Sequence, residues 1–292
     1  MARKTNEPRL DATPPPPEQR GFDARRLRDR SRDDLVREEP LRLDIDGTRL
    51  VTMRTPGQDE DFVTGFLLSE GMVRSTKEIS TIEFRPGRPP SEPRPGDAPG
   101  LEADRCHVRL ASGSDAEPRA RSLSRVHEIR PSCGLCGIED LDELMAGKHL
   151  EPREPHFDLV RLAGILEEFR RRQTVFEHTG ACHGAAIVDA STGAFVGFGE
   201  DVGRHNALDK AIGMASRAST DFGRCLGLLS GRAGYELVAK LLRVRVPILV
   251  SVSAPTALSF DLCREAGATL IGFARGAHQK VYWDEGRLDA RP

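Results

Sequence analysis

Leu226-Gly227-Leu228-Leu229-Ser230-Gly231-Arg232-Ala233-Gly234-Tyr235-Glu236-Leu237-Val238-Ala239-Lys240-Leu241-Leu242-Arg243-Val244-Arg245-Val246-Pro247-Ile248-Leu249-Val250-Ser251-Val252-Ser253 reads as strand, helix, strand. Residues 226–229 and 247–253 are short apolar runs without alternation, the pattern of strands buried on both faces. Between them, residues 233–243 carry apolar side chains at helical spacing. The unit recurs downstream as a helix over 256–266, stopped by Gly267, and a strand over 269–274; residues 280–283 add one more strand. This alternation predicts an α/β core built on a mostly parallel sheet covered by helices on both faces.

Upstream, Leu159, Leu162, Ile165, Leu166 and Phe169 mark an amphipathic helix within residues 157–172. Strands at 179–188 and 194–198 flank a turn at 191–193, and Asn206 is placed to cap a helix over 207–216. Further upstream the pattern shortens. Leu41, Leu43 and Ile45 alternate with polar residues, Asp46-Gly47 is a hairpin signal, and residues 50–53 return as the second strand. A helix over 60–70 puts Phe62, Phe66 and Leu67 on one side and stops at Gly71, and residues 106–110 are another strand. The expected organisation is a disordered tail over 1–32 and a smaller N-terminal β-rich subdomain over 33–130. A segment over 131–156, which carries a closely spaced cysteine pair and a mobile loop, and the ligand-binding α/β core over 157–292 follow. Pro14 to Pro17 and the arginines after them keep the tail out of any core. Pro86, Pro89, Pro90, Pro93, Pro95 and Pro99 make 86–100 a surface insertion.

Composition excludes several classes. Of 292 residues, 38% are hydrophobic and 30% charged, and 43 basic against 45 acidic side chains give no global pull towards nucleic acid or an anionic membrane. No run approaches the roughly 20 apolar residues of a membrane span, and the N-terminus shows no apolar signal core. Six irregularly spaced cysteines fit a reducing cytoplasm with one or two working thiols better than a disulfide framework.

Two of those thiols sit three apart in Pro131-Ser132-Cys133-Gly134-Leu135-Cys136-Gly137, and Ile138, Leu141 and Leu144 predict a helix beginning near Gly137. Unpaired amides at a helix start favour thiolate, while Glu139, Asp140, Asp142 and Glu143 oppose it. One such pair is compatible with redox exchange, with half of a zinc site completed by Cys182 and His183, or with sulfur chemistry. A zinc deaminase would need His-x-Glu, and the residue two past His183 is Ala185. Cys106, Cys182, Cys225 and Cys263 read as packing residues, and Asp201 and Asp209 as helix caps or partners of arginines.

Ligands of an open α/β sheet lie outside the carboxyl ends of its strands. Those ends read 199–206, 230–234, 253–256 and 275–278, and they contribute Arg204, Arg232 and Arg275 together with glycines, small hydroxyls, His183 and His205. Forked donors, close backbone approach and helix starts suit a phosphate-bearing ligand.

Ser132-Cys133-Gly134-Leu135-Cys136-Gly137, Thr179-Gly180-Ala181-Cys182-His183, Glu200-Asp201-Val202-Gly203-Arg204-His205-Asn206-Ala207-Leu208-Asp209-Lys210 and Ser230-Gly231-Arg232-Ala233-Gly234-Tyr235-Glu236 together resemble the FdhD family of formate dehydrogenase accessory proteins. Glu39-Pro40-Leu41 and Gly65-Phe66-Leu67-Leu68-Ser69-Glu70-Gly71 extend the resemblance, which runs from about 33 to 283. It implies a cytoplasmic sulfurtransferase. A cysteine desulfurase would supply sulfane sulfur, a cysteine would hold it as a persulfide, and the acceptor would be the molybdenum bis(guanine dinucleotide) cofactor destined for apo formate dehydrogenase. It further implies a cytidine-deaminase-like core without deaminase chemistry, a homodimer, and GDP as a cofactor analogue. By position, Cys133 bears the persulfide and Cys136 is the second thiol. Phe273, Ala274, Arg275, Gly276, Ala277 and His278 form the cofactor-binding stretch, and Arg204, His205, Ser230 and Arg232 join it from the neighbouring loops. His278 stands where the family commonly has arginine, and a neutral imidazole is the poorer anion partner. The competing reading is a non-catalytic cofactor chaperone whose cysteine pair binds zinc or only shapes its loop.

Overall fold

The computed structural model describes residues 21–26, 32–87, 103–111, 150 and 154–289. The cysteine pair Cys133 and Cys136, the helix expected after Gly137 and most of the proline-rich insertion lie outside the described residues.

The alternating stretch at 39–54 forms β3 (Glu39–Ile45) and β4 (Thr48–Arg54), an antiparallel hairpin whose turn holds Asp46 at φ 45° and Gly47 at φ 89°. Two left-handed residues match the twist of the flanking strands, which is why Asp-Gly marks the turn. With β5 (Ile79–Arg85) and β6 (Asp104–Leu110) they make a four-stranded sheet in the order β4-β3-β6-β5. One face of that sheet buries Leu41, Leu43, Ile45, Leu50, Cys106, Val108 and Leu110 in a cluster shared with Phe62, Val63 and Leu67 of α1 (Asp59–Ser69). The stretch read as a disordered tail is corrected in part: β1 (Phe22–Arg26) lies within it and pairs antiparallel with β2 (Arg32–Val36), whose backbone supplies the hydrogen bonds that order it.

The core sheet runs β12-β11-β10-β9-β7-β8. Its strands are β7 (His183–Asp189), β8 (Phe195–Asp201), β9 (Cys225–Leu229), β10 (Ile248–Ser251), β11 (Thr269–Arg275) and β12 (His278–Trp283). The helices are α2 (Leu162–Arg172), α3 (Thr174–Thr179), α4 (Arg204–Arg217), α5 (Tyr235–Arg243) and α6 (Ala257–Ala266). Both faces are covered, as the unalternating strands require. Ala186, Val188, Leu226, Leu228, Ile248, Val250 and Ile271 pack against Phe157, Leu162, Ile165, Leu166 and Phe169. Ala185, Ile187, Leu229, Leu249 and Leu270 face the larger cluster, which holds α4, α5, α6 and α1.

Two sequence expectations need correction. The sheet is mixed rather than mostly parallel: β9–β10 and β10–β11 are parallel, while β7–β8, β7–β9 and β11–β12 are antiparallel. Tight turns explain β7–β8 and β11–β12, since a parallel pair needs a long crossover; β9 returns through α4 parallel to β8 and so runs antiparallel to β7, which lies between them. The Asp189 carboxylate accepts from Ser191 N and Thr192 N to close one turn, and Gly276 at φ 56° closes the other. Secondly, α4 starts at Arg204 after Gly203, and Asn206 does not cap it; its side-chain amide donates to Met53 O (2.7 Å) and Asp201 Oδ1 (3.1 Å).

The helices α1 and α4 cross at glycine. A Cβ on Gly65 would stand 1.8 Å from Asp209 O, and one on Gly213 would stand 1.8 Å from Asp61 O. Backbone cannot give way as a flexible side chain can, so Gly65→Ala should cost about 3 kcal/mol, at the upper end of overpacking effects. Chemical denaturation checks this; a loss below about 1 kcal/mol would mean that the helices separate at little cost.

Candidate functional site

Strands β8, β9, β10 and β11 point the same way, so their carboxyl ends, Asp201, Leu229, Ser251 and Arg275, share one rim of the sheet. His183 opens the oppositely directed β7 at that same rim. Hydrogen bonds knit the loops together. Ser230 N donates to Gly184 O and Ser230 Oγ accepts from Gly184 N, both at 3.0 Å. Ser251 Oγ donates to Gly231 O (2.7 Å), Thr256 N to Ala233 O (3.2 Å) and Phe273 N to Ser253 O (3.1 Å). The helices α4, α5 and α6 begin directly after these loops, which turns their unpaired amides towards the rim.

The structure therefore brings together the loops that the sequence assigned to a ligand. Arg232, Arg275, Gly276, Ala277 and His278 are exposed, and Arg204, His205 and Ser230 are half-buried. Arg275 Nε donates to Val252 O (3.3 Å), which orients the guanidinium, and His278 stands opposite Arg275 across the turn. Phe273 sits at a bulge with φ 49° and 46% exposure. A left-handed non-glycine residue that holds a phenyl ring in solvent is costly, which is the pattern of functional loops. Ala274 differs: it is 1% exposed, so its side chain belongs to the core beneath the rim.

Two histidines and a carboxylate add acid–base chemistry. His205 Nε2 lies 2.7 Å from Glu236 Oε2, and this contact holds the Glu236 carboxyl below its ordinary range against the opposing effect of burial. His183 Nδ1 lies 3.5 Å from Ser230 Oγ. Burial, then the charges of Arg204 and His205, push His183 down, so its imidazole is neutral near pH 7.

Beneath the rim, buried charge ties the two sheets together, and here sequence reading fell short. Asp201 accepts from Thr55 N (2.9 Å) and Gly203 N (2.9 Å) and pairs with Lys210 Nζ at 2.8 Å. Asp209 pairs with Lys240 at 2.9 Å. Neither aspartate holds an arginine, and only Asp201 serves the start of a helix. The missed partners are Thr55, Lys210, Lys240, Ser69 and Glu70. The signal was present: Lys210 and Lys240 fall where the helical apolar stripe runs, inside Ala207-Leu208-Asp209-Lys210-Ala211 and Val238-Ala239-Lys240-Leu241.

Cys106, Cys182, Cys225 and Cys263 are all buried, as expected of packing residues. Burial pushes the thiols of Cys106, Cys225 and Cys263 up to about 12. Cys182 is pushed up as well, by burial and by the Glu200 carboxylate 3.3 Å from its sulfur. Among the described residues, no group of three His, Cys, Asp or Glu side chains is placed to hold a metal ion, and no helix is long and apolar enough to cross a membrane.

Comparison with known proteins agrees with this architecture. A crystal structure of a candidate formate dehydrogenase accessory protein from Desulfotalea psychrophila superposes with a TM-score of 0.64 at 20% identity, covering 91% of this chain and 97% of that one; this likeness shows the fold. The sulfur carrier protein FdhD of Anaeromyxobacter dehalogenans strain 2CP-C is 41% identical over 266 residues, 88% of this chain and 89% of the relative. That of Streptomyces avermitilis is 37% identical over 264 residues, 89% of this chain and 90% of the relative. A model of the FdhD/NarQ family matches residues 36–289. With the shared fold and these extended identities in agreement, the chain belongs to the FdhD/NarQ family.

Proposed function

We propose that this protein is a sulfurtransferase for formate dehydrogenase, taking sulfane sulfur onto Cys133 as a persulfide and passing it to the molybdenum bis(guanine dinucleotide) cofactor, its substrate, at the rim. The donor is a cysteine desulfurase. The Cys133 thiolate attacks the outer sulfur of the donor's persulfide, the new S–S bond forms as the old one breaks, and the donor leaves as a thiolate. Cys136 is the second thiol of the pair, the acceptor protein is apo formate dehydrogenase, and the working form is a cytoplasmic homodimer. The core is cytidine-deaminase-like with its deaminase chemistry lost. A deaminase would place a glutamate at position 185, where this chain has an alanine 1% exposed to solvent.

One observation carries the reading: four strand ends and three helix starts meet at a rim that bears Arg204, Arg232 and Arg275 beside an exposed Phe273. Guanidinium groups and helix-start amides suit pyrophosphate, and an exposed ring suits a purine face.

GDP tests it. The nucleotide should bind and raise the unfolding midpoint, and Arg275→Ala should weaken binding by about 1.5–3 kcal/mol, the worth of a charged hydrogen bond. Calorimetric titration of both proteins measures this. Equal affinities would remove Arg275 from the site, and no binding by either protein would remove the nucleotide.

A further inference from the structure

We infer that the solvent-facing side of the β4-β3-β6-β5 sheet is a docking surface for an acidic protein partner. The pairing register sets Val51, Arg42, Arg105 and Arg85 side by side in one row across all four strands. The adjacent row reads Arg49, Asp44, His107, Glu83, and Arg109 follows beyond His107 on β6. Arg42, Arg85, Arg105 and Arg109 are exposed, as are Arg49 and Val51.

Like charges directly opposite one another on neighbouring strands destabilise a sheet. Strands lie about 4.8 Å apart, so three guanidinium groups crowd a row of about 10 Å. Within the described residues, Arg42, Arg105 and Arg109 have no ion pair. Arg85 reaches only Glu83, at 3.9 Å, and Arg49 only Asp44, at 3.4 Å. The opposite side of the sheet is treated differently. Arg54, 1% exposed, is matched by Glu39, Asp59 and Asp104. The buried arginine is thus neutralised by three carboxylates, while the exposed row is left unmatched among the described residues, in a chain whose overall charge is −2. Carboxylates from outside would relieve the row.

The chemistry favours protein over nucleic acid as their source. Asp44 and Glu83 stand in the second row and would oppose a continuous phosphate backbone. The rows carry no Phe, Tyr or Trp on which a sheet would stack bases, and their one ring, the half-buried imidazole of His107, stands between Asp44 and Glu83. Val51, 50% exposed at the end of the arginine row, adds the apolar contact usual beside arginine in protein interfaces. The surface uses no residue of the ligand rim, so it stands whether or not the sulfur reading holds.

The test uses the full chain with two fluorescent probes, a ten-residue polyglutamate peptide and a 20-base-pair DNA duplex, at low and physiological salt. The wild-type protein should bind the peptide, more weakly as salt rises, and prefer it to the duplex. Arg42→Gln with Arg105→Gln should weaken peptide binding by roughly tenfold or more, as the loss of charged hydrogen bonds implies. Arg224→Gln with Arg245→Gln, which removes the same charge elsewhere on the surface, should change it less than about twofold. A circular-dichroism melt of each variant shows that it is folded. Equal loss in both double variants, unchanged binding in the first, no peptide binding at low salt, or tighter binding of the duplex would each overturn the inference.

Discussion

Cys133→Ala is expected to abolish sulfur loading while leaving the unfolding midpoint and GDP affinity unchanged. After incubation with a cysteine desulfurase and cysteine, mass spectrometry of the wild-type protein should show the mass of one added sulfur atom on the peptide spanning Cys133 and Cys136; the variant should show none. The size of the effect follows from the other cysteines. With Cys106, Cys225 and Cys263 pushed up to about 12 by burial, they stay thiols at pH 7, and the same burial blocks approach to their sulfurs. Cys182 is closed off in the same way, with a carboxylate against its sulfur. None of the four can stand in for a lost carrier. An unmodified wild-type peptide would sink the transferase reading and leave the cofactor-chaperone reading in place. An added sulfur on Cys136 of the variant would move the carrier role to that residue.

The rim was legible before any coordinates because each of its parts is a local signal. Apolar runs at 226–229 and 269–274 announce buried strands, Gly267 announces a helix stop, and glycine with a small hydroxyl after a strand announces a loop that closes on something. Thr256 caps α6 by accepting from Ser259 N, and Gly267 ends it at φ 69°, both by chemistry that spans four residues or fewer. Strand direction was misread for the opposite reason. It depends on how β7 returns to pair with both β8 and β9, and apolarity carries no arrow. Asn206 misled because a good capping residue three positions past the actual cap, Gly203, was claimed by Met53 O, 153 residues away in sequence. The long-range ion pairs were hidden for the same cause: Lys240 lies on α5 and Glu70 just past the end of α1, and nothing local to either announces the other. Position 274 shows the limit of a motif carried over whole, since in an extended run alternate side chains turn inwards and only their neighbours can meet a ligand.

Lys240 is where the fold should be most sensitive to a single side chain. Its ammonium donates to Ser69 Oγ (2.9 Å) and to Asp209 Oδ1 and Oδ2 (2.9 and 3.0 Å), and it pairs with Glu70 Oε1 at 2.5 Å. All three ionised side chains are less than 9% exposed, and they join α1, α4 and α5. Lys240→Met keeps the aliphatic stem but leaves two neighbouring carboxylates buried without a cation, which should cost about 3–5 kcal/mol and lower the unfolding midpoint by roughly 10 °C. Removing the exposed Arg264–Asp261 pair should cost less than about 1 kcal/mol. The pH dependence distinguishes lost charge from lost packing. Burial, then the charge of Glu70, already act to raise Asp209 above its ordinary range, with Lys240 opposing them. Without Lys240 that rise should increase. A carboxyl whose folded value is raised binds more protons folded than unfolded, so the stability it confers is present below its unfolded value and is lost as pH rises through the folded one. The variant should therefore recover part of its deficit as pH falls from 8 towards 5, and Lys240→Met with Asp209→Asn should recover part of it at pH 7. A deficit that stays constant across that range, or a double variant less stable than the single one, would show that Lys240 serves as filler and that its charge is incidental.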